Sequence, residues 1–167
     1  MEENIREETR RHASPDLRRG GAICVVDDDA SVCDSLSVLL ETHGLEVLAY
    51  SSGAAFLADE RHRQAGCLVV DQHMPGMEGL DLVAALRGER IFLPWVLITG
   101  RLDAVIAERA DQFGVIAVLE KPFAAARLVE LVRAGLDSAA SGDDNRCRRA
   151  GRNMMASRQS NDCAGES

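Results

Sequence analysis

Short apolar runs of four to six residues recur along this chain, and each stops abruptly at polar residues. Residues 22–26 (AICVV) stop at Asp27, Asp28 and Asp29. Residues 45–50 stop at Ser51, 67–70 (CLVV) at Asp71, 93–98 at Thr99 and Gly100, and 115–119 at Glu120, Lys121 and Pro122. The runs are continuous and do not alternate, as strands buried on both faces require. Between them apolar residues recur at helical spacing. Val32, Leu36, Leu39 and Leu40 mark one helix, which Gly44 ends. Ser51, Ser52 and Gly53 open a second, reaching about Arg63. Leu80, Leu82, Val83 and Leu86 mark a third, residues 103–113 a fourth, and Leu128, Leu131, Val132 and Leu136 a fifth. Strand and helix alternate five times, which predicts an α/β fold with a doubly wound five-stranded parallel sheet.

Right-handed crossovers bring the carboxyl ends of all the strands to one rim, where ligands of such sheets bind. The residues just past the strands therefore meet: Asp27, Asp28 and Asp29, then Asp71, Thr99 and Lys121. Three or more carboxylates in close quarters need a cation between them. An all-oxygen set suits Mg²⁺ better than zinc or copper, and leaves coordination positions for water and phosphate. Carboxylates, a hydroxyl and an ammonium together point to phosphoryl chemistry. Of the 19 basic residues, Lys121 is the only lysine. A compact ammonium thus stands at the rim of a chain that otherwise uses the planar arginine fork. Asp29 is expected to cap the following helix as well.

At these positions the chain resembles the receiver domains of two-component response regulators. The matching segments are VVDDDASV (25–32), VVDQHMPGMEGLDL (69–82), LITG (97–100) and LEKPF (119–123), and the likeness covers about 22–137. The ITG and EKPF forms look most like receivers with a LuxR-type helix-turn-helix output domain. The resemblance implies a flavodoxin-like (βα)5 fold with strand order 2-1-3-4-5. It implies that Asp71 accepts a phosphoryl group, that Asp28 binds Mg²⁺ directly, and that Asp27 acts through water. Asp71 itself and the backbone carbonyl of His73 complete the metal ligands. Thr99 matches the hydroxyl that turns toward the phosphoryl group, and Lys121 the ion-pairing lysine, with a cis Lys121–Pro122 bond. Gly100 lacks a side chain, so its N–H can approach a phosphoryl oxygen. The His73 side chain is expected to face solvent. By family position, His73 and Arg101 flank the path of a hydrolytic water. One position departs from the family pattern: Val118 stands where an aromatic residue usually moves on activation.

The expected organisation is a mobile segment over 1–20, a receiver domain over 21–140 and a disordered tail over 141–167. Only 27 residues follow Ala140, too few for a helix-turn-helix module, so a single-domain receiver is expected. No run is long enough to span a membrane, and the charged first 20 residues do not read as a secretory signal. Five cysteines without a CxxC pair point to a reducing, cytoplasmic setting without zinc, with Cys24 and Cys67 in the core. Residues 21–140 carry 18 acids against nine bases, which disfavours nucleic acid as a partner.

The function implied is a phosphoacceptor switch, not a turnover enzyme, with self-catalysed phosphorylation and dephosphorylation. Its expected partners are a histidine kinase or phosphotransfer protein and an unidentified downstream protein, with a phosphorylation-dependent homodimer left open. Two alternatives stand beside it. One is a haloacid-dehalogenase-type phosphatase, which would use Asp27 and Asp29 as a DxD pair but gives Asp71 no task. The other is a DNA-binding transcriptional regulator shortened at its C-terminus.

Overall fold

The computed structural model describes residues 20–141. The segments expected to be a mobile N-terminus and a disordered tail lie outside the described residues, apart from Gly20 and Ser141, as do Cys147 and Cys163. Five strands form one sheet: β1 (Ala22–Val26), β2 (Val47–Tyr50), β3 (Ala65–Asp71), β4 (Trp95–Thr99) and β5 (Ala117–Glu120). All pair in parallel, in the order β2-β1-β3-β4-β5. The helices are α1 (Ala30–Thr42), α2 (Gly53–Ala58), α3 (Gly79–Gly88), α4 (Ala104–Gln112) and α5 (Ala125–Ala140). The expected doubly wound sheet and its strand order are both present.

Apart from the end residues Asp71, Thr99 and Glu120, the strands are apolar because helices cover both faces of the sheet. Cys24, Val26, Leu68, Val70 and Leu97 face α2, α3 and α4, packing on Phe56, Leu82, Leu86 and Ile106. Ile23, Val25, Cys67, Val69 and Ile98 face α1 and α5, packing on Leu36, Leu40, Leu128 and Val132. Cys24 and Cys67 are core residues as expected, and Cys33 joins them. Burial pushes the thiols of Cys24 and Cys67 up to about 12, so neither is a thiolate near neutral pH. No helix among the described residues is long and apolar enough to cross a membrane.

β2, β4 and β5 each begin two residues later than expected, and the largest difference is in the second helix. The second helix stops at Ala58 instead of reaching Arg63, and a separate 3-10 turn covers Glu60–Gln64. Asp59 causes the break. Its backbone is extended (φ −94°, ψ 110°), and its carboxylate accepts from the Arg61 amide. The Arg61 guanidinium at 2.6 Å and the Tyr50 hydroxyl at 3.1 Å hold the same group. A short acidic side chain competes here with the helical backbone, and periodicity does not register that competition. His62 then turns inward beneath Phe56, with ring centroids 5.1 Å apart.

Leu128 is fully buried between α5 and the sheet. Leu128→Ala is expected to cost about 2–5 kcal/mol. The measurement is a urea titration, in which the midpoint falls and the slope stays constant.

Candidate functional site

The register of the sheet builds the site. Val26 lies opposite both Tyr50 and Val70, Asp71 opposite Ile98, and Thr99 opposite Glu120. The ends of β1, β3, β4 and β5 are therefore level. Asp27 and Asp71 are buried at this rim, and Asp28 beside them is exposed. One oxygen from each of Asp27, Asp28 and Asp71 lies within 4.8 Å of the others. The Lys121 ammonium reaches Asp71 Oδ1 at 3.1 Å and Asp27 Oδ2 at 3.8 Å. Lys121 is placed by its own backbone, which donates to the Thr99 carbonyl at 2.9 Å, and the Lys121–Pro122 bond is cis as expected.

Each acid has a distinct set of partners. Asp29 caps α1, accepting from the Ser31 and Val32 amides. Asp27 Oδ1 accepts from the Asp29 amide at 2.9 Å, while Asp27 Oδ2 is buried with no hydrogen-bond partner. Burial raises the Asp27 carboxyl above its ordinary range, and the Asp71 and Asp28 charges add to that against the Asp29 hydrogen bond and Lys121. Burial by itself would lower the Lys121 ammonium, but its hydrogen bond to Asp71 and the nearby acids raise it. The lysine is thus fully charged at neutral pH. A buried carboxylate oxygen without a donor, within reach of two other carboxylates, fits a hard divalent cation such as Mg²⁺.

Thr99 is fully buried, and its hydroxyl donates to the Arg101 carbonyl at 2.8 Å. Gly100 follows in an exposed loop, where an added Cβ would meet nothing within 4 Å. His73 is exposed, as expected, yet its Nε2 lies 3.4 Å from Thr99 Oγ1. Asp71 Oδ2 accepts from the His73 amide at 3.1 Å. Val118 is half-buried and packs on the core beneath α2, α3 and α4.

Sequence reading passed over Gln72. This buried amide accepts from the Leu80 amide at 3.1 Å and donates to Glu78 at 3.0 Å. Glu78, the cap position of α3, makes no side-chain bond to the helix itself. Gln72 therefore satisfies an open helix donor from the neighbouring strand end and closes the loop after Asp71. Gly79 is required beside it, since a Cβ there would sit 2.5 Å from the Asp71 carbonyl oxygen. The only sequence hint was a polar residue continuing an apolar strand.

A buried rim of aspartates crossed by one lysine, at the end of a 2-1-3-4-5 parallel sheet, defines a class of phosphate-operated signalling domains. The family model for the response regulator receiver domain matches residues 23–133, and the chain belongs to that family. The transcriptional regulatory protein FixJ of Azorhizobium caulinodans is 40% identical over 116 residues, covering 70% of this chain and 55% of that protein. Response regulator protein TodT of Pseudomonas putida is 38% identical over 128 residues, covering 75% of this chain and 54% of that protein. The chain spans about half the length of the curated relatives it matches. A crystal structure of FixJ-N superimposes with a TM-score of 0.65 at 32% identity, covering 70% of this chain and 94% of that one. These relatives agree with the subfamily likeness seen in the ITG and EKPF segments.

The raised Asp27 carboxyl has a consequence for stability. A folded-state value above the unfolded one means that Asp27 favours folding at pH below the carboxylate range. That contribution is lost as pH rises through the raised value, above which the buried charge is a net cost. Without divalent cation at neutral pH, Asp27→Asn should therefore raise Tm by a few degrees, on the order of 1 kcal/mol. The gain should shrink at pH below about 4. Calorimetry at both pH values checks it.

Proposed function

We propose that this chain receives a phosphoryl group on Asp71 from the phosphohistidine of a histidine kinase or phosphotransfer protein. The observation that carries this reading is the placement of Asp71. Its buried carboxylate lies within reach of Asp27 and Asp28 on one side and Lys121 on the other. A carboxylate oxygen of Asp71 attacks phosphorus as the donor's P–N bond breaks, and the donor's imidazole leaves with the electron pair. Lys121 neutralises Asp71 beforehand and afterwards pairs with a phosphoryl oxygen. Gly100 is exposed and open at its Cβ position, so no side chain would stand between its N–H and another phosphoryl oxygen. Thr99 supplies a hydroxyl from the next strand.

Mg²⁺ would be held by Asp28 directly, Asp27 through water, the Asp71 carboxylate and the His73 carbonyl. When bound it neutralises charge on the carboxylates and on the transferred group. On this reading the protein side chains that promote phosphorylation and dephosphorylation all belong to this domain, while the donor, Mg²⁺ and water come from outside, and the domain acts as a switch and not a turnover enzyme. Roughly two negative charges added at the rim are enough to reorder the loops carrying Thr99 and Lys121. The readout would be a protein contact on that side of the sheet, with a downstream protein or a second copy of the chain. The acidic described domain disfavours direct contact with nucleic acid.

The family match decides against the phosphatase alternative, which also leaves Asp71 without a task. The regulator alternative is favoured by one finding: FixJ is by name a transcriptional regulatory protein, and this chain spans 55% of one such relative. On that reading the same switch would govern an output module.

Two measurements test the proposal. Incubation with Mg²⁺ and a small acyl-phosphate donor should add one phosphoryl mass to the intact protein and none to Asp71→Asn. A phosphate retained by Asp71→Asn removes the assignment. Asp28→Ala should weaken Mg²⁺ binding by about tenfold or more, because hard cations respond to ligand charge. An unchanged Mg²⁺ titration, followed by amide NMR shifts, would place the metal elsewhere.

A further inference from the structure

The Thr99 hydroxyl is fully engaged in this structure. A hydroxyl has one proton and two lone pairs. The proton goes to the Arg101 carbonyl at 2.8 Å, and one lone pair accepts from the Arg101 amide at 3.2 Å. The remaining partner is His73 Nε2 at 3.4 Å. With that proton on the Arg101 carbonyl, the contact is a hydrogen bond when Nε2 carries a hydrogen, as it does in the Nε2–H tautomer and in the imidazolium. The contact joins the loop after β3 to the loop after β4, across 26 residues of sequence. Thr99 is fully buried, whereas His73 is exposed, so the ring reaches in from the solvent side.

We propose that His73 is a positioning residue that holds the Thr99 hydroxyl in its bonds to Arg101 and so opposes the switch. This deepens the reading of Asp71 as phosphoacceptor and rests on it. To donate to a phosphoryl oxygen on Asp71, Thr99 must withdraw its proton from the Arg101 carbonyl. Its oxygen then moves away from the Arg101 amide and from Nε2 together. His73 therefore adds one bond to the set that must break, and it adds it only in the phosphate-free state. At 3.4 Å the bond is long, so its effect is a small bias and not a lock.

The test uses His73→Phe, which keeps a planar ring without a donor, and His73→Gln, which restores an N–H. His73 is exposed, so both variants should keep the fold, and their amide spectra verify it. Beryllofluoride with Mg²⁺ serves as the phosphoryl mimic. His73→Phe should bind it roughly two- to fivefold more tightly than the parent, the range expected for one weak hydrogen bond, and His73→Gln should return to the parent value. Three-bond couplings to the Thr99 methyl group report its χ1 rotamer without ring-current effects. In the mimic-free protein they should show more rotamer averaging in His73→Phe than in the parent. In a Thr99→Ala background the effect of His73→Phe on mimic affinity should vanish. Equal or weaker mimic binding by His73→Phe overturns the proposal, as does an effect that persists without Thr99. A parent protein that takes up no mimic would instead defeat the reading of Asp71, and the couplings in the free protein would still decide whether His73 holds Thr99.

Discussion

The rim of this sheet is organised around one electrostatic problem: two buried carboxylates, Asp27 and Asp71, that share a single ammonium. Like charges this close destabilise the folded state unless a cation lies between them. Lys121 answers part of that need, and it can do so only because β5 ends level with β3 and β4. Asp27 Oδ2 stands 3.8 Å from that ammonium and has no hydrogen-bond partner, so one ammonium leaves it only partly compensated. A site left electrostatically incomplete by its own side chains is one that a divalent cation and a phosphate can complete. Binding and switching then draw on free energy stored by the fold itself.

The apolar packing of the rest of the domain offsets that electrostatic cost. Two apolar layers, one against α1 and α5 and one against α2, α3 and α4, cover both faces of the sheet. The strands are supports, and their last residues together with the loops that follow carry the groups assigned to the chemistry. Small side-chain devices tune those loops. Gln72 fastens the start of α3, Gly79 lets that start approach the Asp71 carbonyl, and Thr99 closes the loop to Arg101. A local rearrangement of the rim is therefore compatible with an unchanged core.

Val118 bears on how such a rearrangement would travel. It is half-buried on β5, beside Leu97 in the register, and contributes to the layer beneath α2, α3 and α4. A valine has one stiff torsion and no ring to swing between exposed and buried positions. On the proposed function, a rearrangement would therefore travel through the backbone of the loops after β4 and β5 and not through an aromatic side chain at position 118. The Thr99–Arg101 and Lys121–Thr99 bonds lie on that route.

Much of this was legible in the sequence, for a simple reason. Strands buried on both faces must be apolar along their whole length, so β1, β3 and β4 announce themselves, and the first polar residue after each marks the rim. Handedness of the crossovers then sends Asp27, Asp71, Thr99 and Lys121 to the same side without any knowledge of strand order. Periodicity did not set the order itself, which came only through likeness to a known family. The tertiary structure alone decided what depends on distances between residues far apart in the chain. Asp59 broke the second helix because Tyr50 and Arg61 were there to hold it. Gln72 became a cap for α3, and His73 met Thr99, because strand register brought their loops together. Sequence fixes which residues stand at strand ends, since that follows from local burial and chirality; which side chains then touch is settled only when the sheet closes and the register places them within a hydrogen bond of one another.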